Sequence, residues 1–217
     1  IIVGGTGLYI DSLLENVRFS EVKSDEEYRS SLYELAKNEG NAALYERLVQ
    51  ADPEAAQSIH MNNLVRVVRA LEVIHVTGKK FSQLKAESRT EESPYDSLIL
   101  GLDCAERSTL YARIDRRVEE MAAAGLVEEA RSLWQEGGMR TSANAIGFKE
   151  LIPYFEGSAS LEDCIATIQQ ETRRYAKRQL TWFRRNERIR WIIIEDFGKM
   201  NEILEKSKKA IANYRNV

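Results

Sequence analysis

The feature that most constrains this chain is a set of three short apolar runs set far apart by long helical stretches. Ile1-Ile2-Val3, the 97–102 run SLILGL and the 190–194 run RWIII are too short for buried helices and read as buried strands. Strands separated by helices pair in parallel through crossovers. The expected fold class is therefore α/β, with a parallel-sheet core. A buried parallel strand needs neighbours on both sides. Because Ile1-Ile2-Val3 opens the chain, the core is expected to be N-terminally incomplete, with an earlier βα portion before Ile1.

The first run passes directly into Gly4-Gly5-Thr6-Gly7, and a helix follows from Leu8 through Leu14. In α/β sheets ligands lie beyond the carboxyl ends of strands. Three glycines let the backbone approach a ligand, and the following helix N-terminus favours anions. The spacing is neither G-x-x-x-x-G-K-[ST] nor G-x-G-x-x-G. Alone, it reads either as a ligand loop or as a plain tight turn.

From Ser24 to about Ala86 the signal is helical throughout. Ser24 and Glu27 form a capping box ahead of a helix at 28–37. A second helix covers 41–50, and Asp52-Pro53 starts a short third. Asn62 or Asn63 caps a fourth, with Leu64, Val67, Val68, Leu71 and Ile74 on its apolar face and Thr77-Gly78 at its end. Residues 23–93 read as an inserted all-helical subdomain. Residues 1–22 and 94–217 read as the α/β core with C-terminal helices. Those helices are expected at 107–136, broken near Gly125 and stopped by Gly137-Gly138, and at 144–155, 161–185 and 200–214.

The densest chemistry lies in 171–191. Between Arg173 and Arg190 there are eight basic residues and one acid, Glu187. On a helix, Arg174, Lys177, Arg178, Thr181 and Arg185 share one face, with Ala176, Leu180 and Phe183 towards the other. Tyr175 and Trp182 are flat surfaces among the charges, and Gln179 offers an amide. Cations for phosphates, with aromatics and amides for bases, suit single-stranded or looped RNA. The plain alternative is a solvated basic face. The net charge is -3, so attraction of nucleic acid would have to come from local patches.

Arg113, Arg116 and Arg117 form a second cluster at i, i+3, i+4. It reads either as a phosphate grip or as a solvent face paired with Asp115, Glu119 and Glu120. Arg66 and Arg69 make a smaller pair. Ala145-Ile146-Gly147-Phe148-Lys149 would either admit a flat base or simply start a helix. Two cysteines, Cys104 and Cys164, do not make a disulfide framework and fit a reducing compartment. His60 and His75 are too few for a histidine metal cage. No apolar run approaches the roughly 20 residues of a membrane span, and no secretory leader is read at the start.

In this order the pieces resemble the tRNA dimethylallyltransferase family. The resemblance rests on VGGTGLYI at 3–10, DPEAAQSIHMNNLVRVVRALEV at 52–73, RIDRRVEEMAAAGLVEE at 113–129, AIGFKE at 145–150 and YAKRQLTWFRR at 175–185. It implies a P-loop-NTPase-like, nucleotide-binding type of core with a helical, tRNA-binding insertion. The implied reaction is alkylation of adenosine N6 by dimethylallyl diphosphate in the tRNA anticodon stem-loop, with the base flipped out. It also implies Thr6 and Arg117 as catalytic residues, with Arg117 and Arg113 on the diphosphate. The tRNA contacts it implies are Thr6, Arg29, Val65, Arg66 and Arg69; Asn144, Gly147, Phe148 and Lys149; and Lys177, Arg178, Gln179, Thr181, Trp182 and Arg184. The family's P-loop and its general-base aspartate have no counterpart in 1–217, so the chain by itself is expected to show little activity. A Mg2+ cofactor is expected with its ligands in that N-terminal segment. Met61 and Asn63 depart from the family's His-Pro-Asn-Asp. A cytoplasmic monomer with no membrane partner is expected. The alternatives are an RNA-binding unit without chemistry, a small-molecule P-loop kinase relative, and an enzyme for free adenine nucleotides.

Overall fold

The computed structural model describes residues 1–18, 22–88, 92–136, 145–194 and 200–215. In chain order the elements are α1 (Gly7–Leu14), α2 (Glu26–Glu39), α3 (Asn41–Ala51), α4 (Pro53–Ser58), α5 (Leu64–Thr77), α6 (Phe81–Glu87), β1 (Ile99–Cys104), α7 (Arg107–Met121), α8 (Val127–Gln135), α9 (Ile152–Phe155), α10 (Leu161–Phe183), β2 (Ile189–Ile194) and α11 (Met200–Arg215). They fall into two units, Ile1–Gly7 with Ser97–Val217, and Leu8–Asp96.

The Leu8–Asp96 unit has helices only among its described residues. Its apolar stripes meet in one core: Leu32 and Ala36 of α2, Leu44 and Leu48 of α3, Ala55 and Ala56 of α4, and Val67, Val68, Ala70 and Leu71 of α5. Each fully buried leucine contributes about 1.5–3 kcal/mol relative to exposure. The caps set the boundaries. Asp52 accepts the Ala55 N–H at 3.0 Å, ahead of Pro53 in the first turn of α4. Asn63 caps α5, and Gly78 ends it at φ 67. At α2 the cap is Asp25, which accepts the Tyr28 N–H at 2.9 Å, not the Ser24 that the capping-box pattern picks out. Asp25 holds this position because its own N–H is tied to Glu72 of α5 at 2.9 Å. A separate helix, α6, follows Gly78 where the sequence shows only continuing helical signal.

In the other unit β1 and β2 pair in parallel, in register from Ile99↔Ile189 to Cys104↔Ile194. The parallel pairing agrees with the pattern of separated apolar runs. Ile1-Ile2-Val3 do not form the expected buried strand: they are 119%, 64% and 92% exposed. An apolar run becomes a strand only with a ladder partner, and among the described residues β1 and β2 pair only with each other. β1 starts at Ile99 rather than 97 and is only half-covered, with Leu102 exposed.

A second core gathers Val118 of α7, Leu126, Val127 and Ala130 around α8, Leu151, and Cys164 and Ile168 of α10. The long helix expected from 107 breaks where Gly125 adopts φ 108 within a π-turn, Ala122–Leu126. The helix expected at 144–155 is instead a turn, a 3-10 segment Lys149–Leu151 and the short α9. Gly147 at φ 107 sits outside helical space, and Pro153 is confined to the first turn of α9. Gly137-Gly138 and Asn144 lie outside the described residues.

Candidate functional site

α10 has no Pro or Gly in its interior, and Ser160 caps it by accepting the Asp163 N–H at 3.1 Å. Its N-terminal half buries Cys164 and Ile168. Its C-terminal half turns Arg174, Lys177, Arg178, Thr181 and, just beyond the helix, Arg185 to solvent. This is the cationic face that the spacing anticipates, and Tyr175 lies on it under the Arg178 guanidinium at 5.7 Å.

Gln179 and Trp182 do something the sequence does not announce. The Gln179 amide donates to the Gly5 carbonyl at 2.8 Å. A Cβ on Gly5 would come within 2.1 Å of that amide nitrogen, and a Cβ on Gly7 within 2.1 Å of the Trp182 ring. The glycines at 5 and 7 are therefore the condition for the turn to lie flat on α10, with exposed Thr6 held between them. The half-buried Trp182 and the Gln179 amide support this turn.

The carboxyl end of β1 lies beside the same end of α10. Asp103, its side chain 9% exposed, accepts Arg184 Nη2 at 2.6 Å. Burial and the Asp103 charge push the Cys104 thiol up, away from the thiolate form that a nucleophile needs. α7 and α10 are tied by the Arg173–Asp115 ion pair and by Gln169, which donates to the Asp115 carbonyl at 3.3 Å. Asp115 thus ties α7 to α10. Arg116 pairs with Glu120 at 3.6 Å, while exposed Arg117 makes no ion pair among the described residues. Arg113 is exposed on the same helix.

Near the other end of α10, the half-buried Phe148 and Ile146 pack on the second core. Buried Glu150 accepts the Gly147 N–H at 2.9 Å and fixes that turn. Lys149 Nζ is 3.6 Å from Glu150 Oε1.

In the Leu8–Asp96 unit, Val65 and Arg66 are exposed on α5. Arg29 and Arg69 converge on the fully buried carboxylate of Glu72, at 2.9 Å and 2.7 Å. Burial pushes this carboxyl up. The bonds from Arg69, the Asp25 N–H and Arg29 outweigh burial and hold it below the ordinary glutamate range. The bond to Glu72 in turn raises the Arg29 guanidinium. Sequence reading missed Glu72, although an acid on the apolar face of α5, four residues after Val68, is a signal.

The pattern of one family, described as IPP transferase, matches residues 1–186. The chain belongs to the IPP transferase family. It is 48% identical over 213 residues to a tRNA dimethylallyltransferase of Geobacillus thermodenitrificans, which covers 98% of this chain and 67% of that protein. A tRNA dimethylallyltransferase of Caldanaerobacter subterraneus is 43% identical over 208 residues, 94% of this chain and 66% of that protein. Among solved structures, the tRNA isopentenylpyrophosphate transferase of Bacillus halodurans matches with TM-score 0.58 at 38% identity, over 97% of this chain and 66% of that one. A eukaryotic dimethylallyltransferase crystallised acting on tRNA matches with TM-score 0.75 at 28% identity, over 98% and 56%. The chain spans about two thirds of the length of the curated relatives it matches. Among the described residues no helix is long and apolar enough to cross a membrane.

Proposed function

We propose that the chain works in the transfer of a dimethylallyl group from dimethylallyl diphosphate to N6 of the adenosine beside the anticodon of tRNA. The observation that carries this reading is the family match over residues 1–186, which takes in both the Thr6 turn and the α10 helix it lies on. The new bond joins N6 to the allylic CH2 carbon of the prenyl group that carries the diphosphate. The carbon–oxygen bond to diphosphate breaks, its electron pair leaves with diphosphate, and the N6 proton passes to a base.

In this reading Thr6 meets the tRNA near the reacting base, and Gln179 and Trp182 act by holding its turn. Lys177, Arg178, Thr181 and Arg184 face RNA phosphates, which position without specifying sequence. Arg29, Val65, Arg66 and Arg69, and Gly147, Phe148 and Lys149, supply further contacts. Arg117, with Arg113, grips the diphosphate and steadies the negative charge that grows there. The core is of P-loop-NTPase type, and the protein works as a cytoplasmic monomer. Among the described residues no group of three His, Cys, Asp or Glu side chains is placed to hold a metal. Mg2+ would take its protein ligands from the N-terminal P-loop segment that the resemblance implies and would neutralise charge on the diphosphate.

Radiolabelled dimethylallyl diphosphate and an anticodon stem-loop, incubated with the chain extended by the P-loop and general-base segment that the resemblance implies, test the reading. Label on N6 of that adenosine supports it, and Arg117→Ala should then lower kcat/KM for the donor by about a hundredfold, with Arg117→Lys rescuing only in part. Binding of the RNA with no label transferred favours an RNA-binding unit. Transfer to free adenine nucleotides alone overturns the tRNA assignment.

A further inference from the structure

A small cleft lies between the first turns of α7 and the last turns of α10. It holds about 50 Å³ and is lined by Arg107, Tyr111, Lys177, Thr181 and Arg184, together with Leu110 and Leu180. Three cations converge on it. Arg184 is partly neutralised by Asp103. Arg107 and Lys177 are exposed and make no ion pair among the described residues. Like charges held together at a cleft repel one another unless an anion sits between them. The Thr181 hydroxyl donates to the Lys177 carbonyl at 2.8 Å, which fixes its oxygen on the last turns of α10. Tyr111 adds a phenolic donor, and its ring lies 6.0 Å beneath the Arg173 guanidinium.

We infer that this cleft seats one phosphate of a bound RNA strand, gripped jointly by Arg107 of α7 and Lys177 of α10. The inference rests on the RNA reading above and adds Arg107 and Tyr111, on a different helix, to the contact surface. Size argues for a single phosphate. One water takes about 10–15 Å³ of such a cavity, so the space suits a group of a few heavy atoms rather than a diphosphate with a prenyl tail. Position argues the same way. Arg117 lies about ten residues further along the unbroken α7, hence about 15 Å away. The donor assigned to Arg117 is therefore centred towards the other end of α7, while the cleft sits at its first turns.

The test measures affinity for an anticodon stem-loop against salt in the Arg107→Ala, Lys177→Ala and double variants, with Arg178→Ala as the comparison. Both cations are exposed, and thermal melts together with Arg107→Lys check that any loss is not unfolding. If one phosphate is shared, each single variant weakens binding. The double variant then flattens the slope of log affinity against log salt by only about 0.7–0.9, the value for one phosphate. Arg178→Ala should add its own decrement independently. An unchanged affinity and slope in Arg107→Ala, with Lys177→Ala still impaired, overturns the shared seat and leaves the RNA reading standing. Unchanged binding in all three single variants overturns the RNA reading as well. Pyrophosphate titration separates the sources: if Arg107→Ala weakens pyrophosphate binding but not RNA binding, the cleft belongs to the diphosphate and the inference is wrong.

Discussion

The two units treat their buried carboxylates differently. In Leu8–Asp96 every oxygen of Asp52 and Glu72 accepts a hydrogen bond. Asp52 takes the Ala55 N–H, the Ser82 N–H and the Ser82 hydroxyl. Glu72 takes the Asp25 N–H, Arg29 and Arg69. In the other unit, Glu150 Oε2 holds the Gly147 N–H, while Oε1 accepts no hydrogen bond from the described residues. A saturated carboxylate joins elements into one fixed frame. A half-used one holds a single turn and leaves the neighbouring cation, Lys149, loosely placed. The helical unit thus displays its arginines on a rigid mount, whereas the other unit sets Lys149 beside a carboxylate oxygen that accepts no hydrogen bond from the described residues.

The largest expected effect tests this contrast. Glu72→Ala removes the acceptor of three donors and should lower stability by about 2–4 kcal/mol. Glu150→Gln keeps an oxygen for Gly147 and should cost less than about 1 kcal/mol. Urea unfolding of both variants measures the difference, and equal costs would erase it.

A smaller effect appears with pH. The folded-state carboxyls of Asp52 and Glu72 are both held low: burial pushes each up, and their hydrogen bonds outweigh it. Between the unfolded and folded values the unfolded chain binds more protons, so the contribution of these groups is present above the unfolded value, about pH 4. It is lost as pH falls from there through the lower folded values. Glu72→Gln should flatten this acid limb, and an unaltered pH profile of the melting temperature would contradict the assignment.

A local effect comes from Gln179→Met, which removes the donor to the Gly5 carbonyl without adding charge and should cost under about 1.5 kcal/mol. If Gln179 acts by positioning Thr6, prenyl transfer falls while RNA affinity holds. A parallel fall in both would mean that Gln179 meets the RNA itself.

The helices of 24–87 were legible because their period and caps are local: Asp52-Pro53, Asn63 and Gly78 stand where the chain needs them. The parallel pairing was legible from apolar runs divided by helices. What failed depended on distant partners. Ile1-Ile2-Val3 carries strand composition but finds no ladder among the described residues. Ser24 fits a capping pattern, yet Asp25 caps because Glu72, 47 residues on, holds its N–H. The basic face of α10 could be read from spacing. The occupation of Gln179 and Trp182 could not, because nothing near them in sequence names Gly5 and Gly7.

The bond from Gln179 to Gly5 spans 174 residues. At about 5–20 residues per second, a ribosome needs roughly 10 to 35 s to reach Gln179 after making Gly5. The helices of Leu8–Asp96 can collapse within that interval, since their contacts lie close in sequence. The turn carrying Thr6 must wait, so a nascent chain has its arginine mount long before that turn has its support.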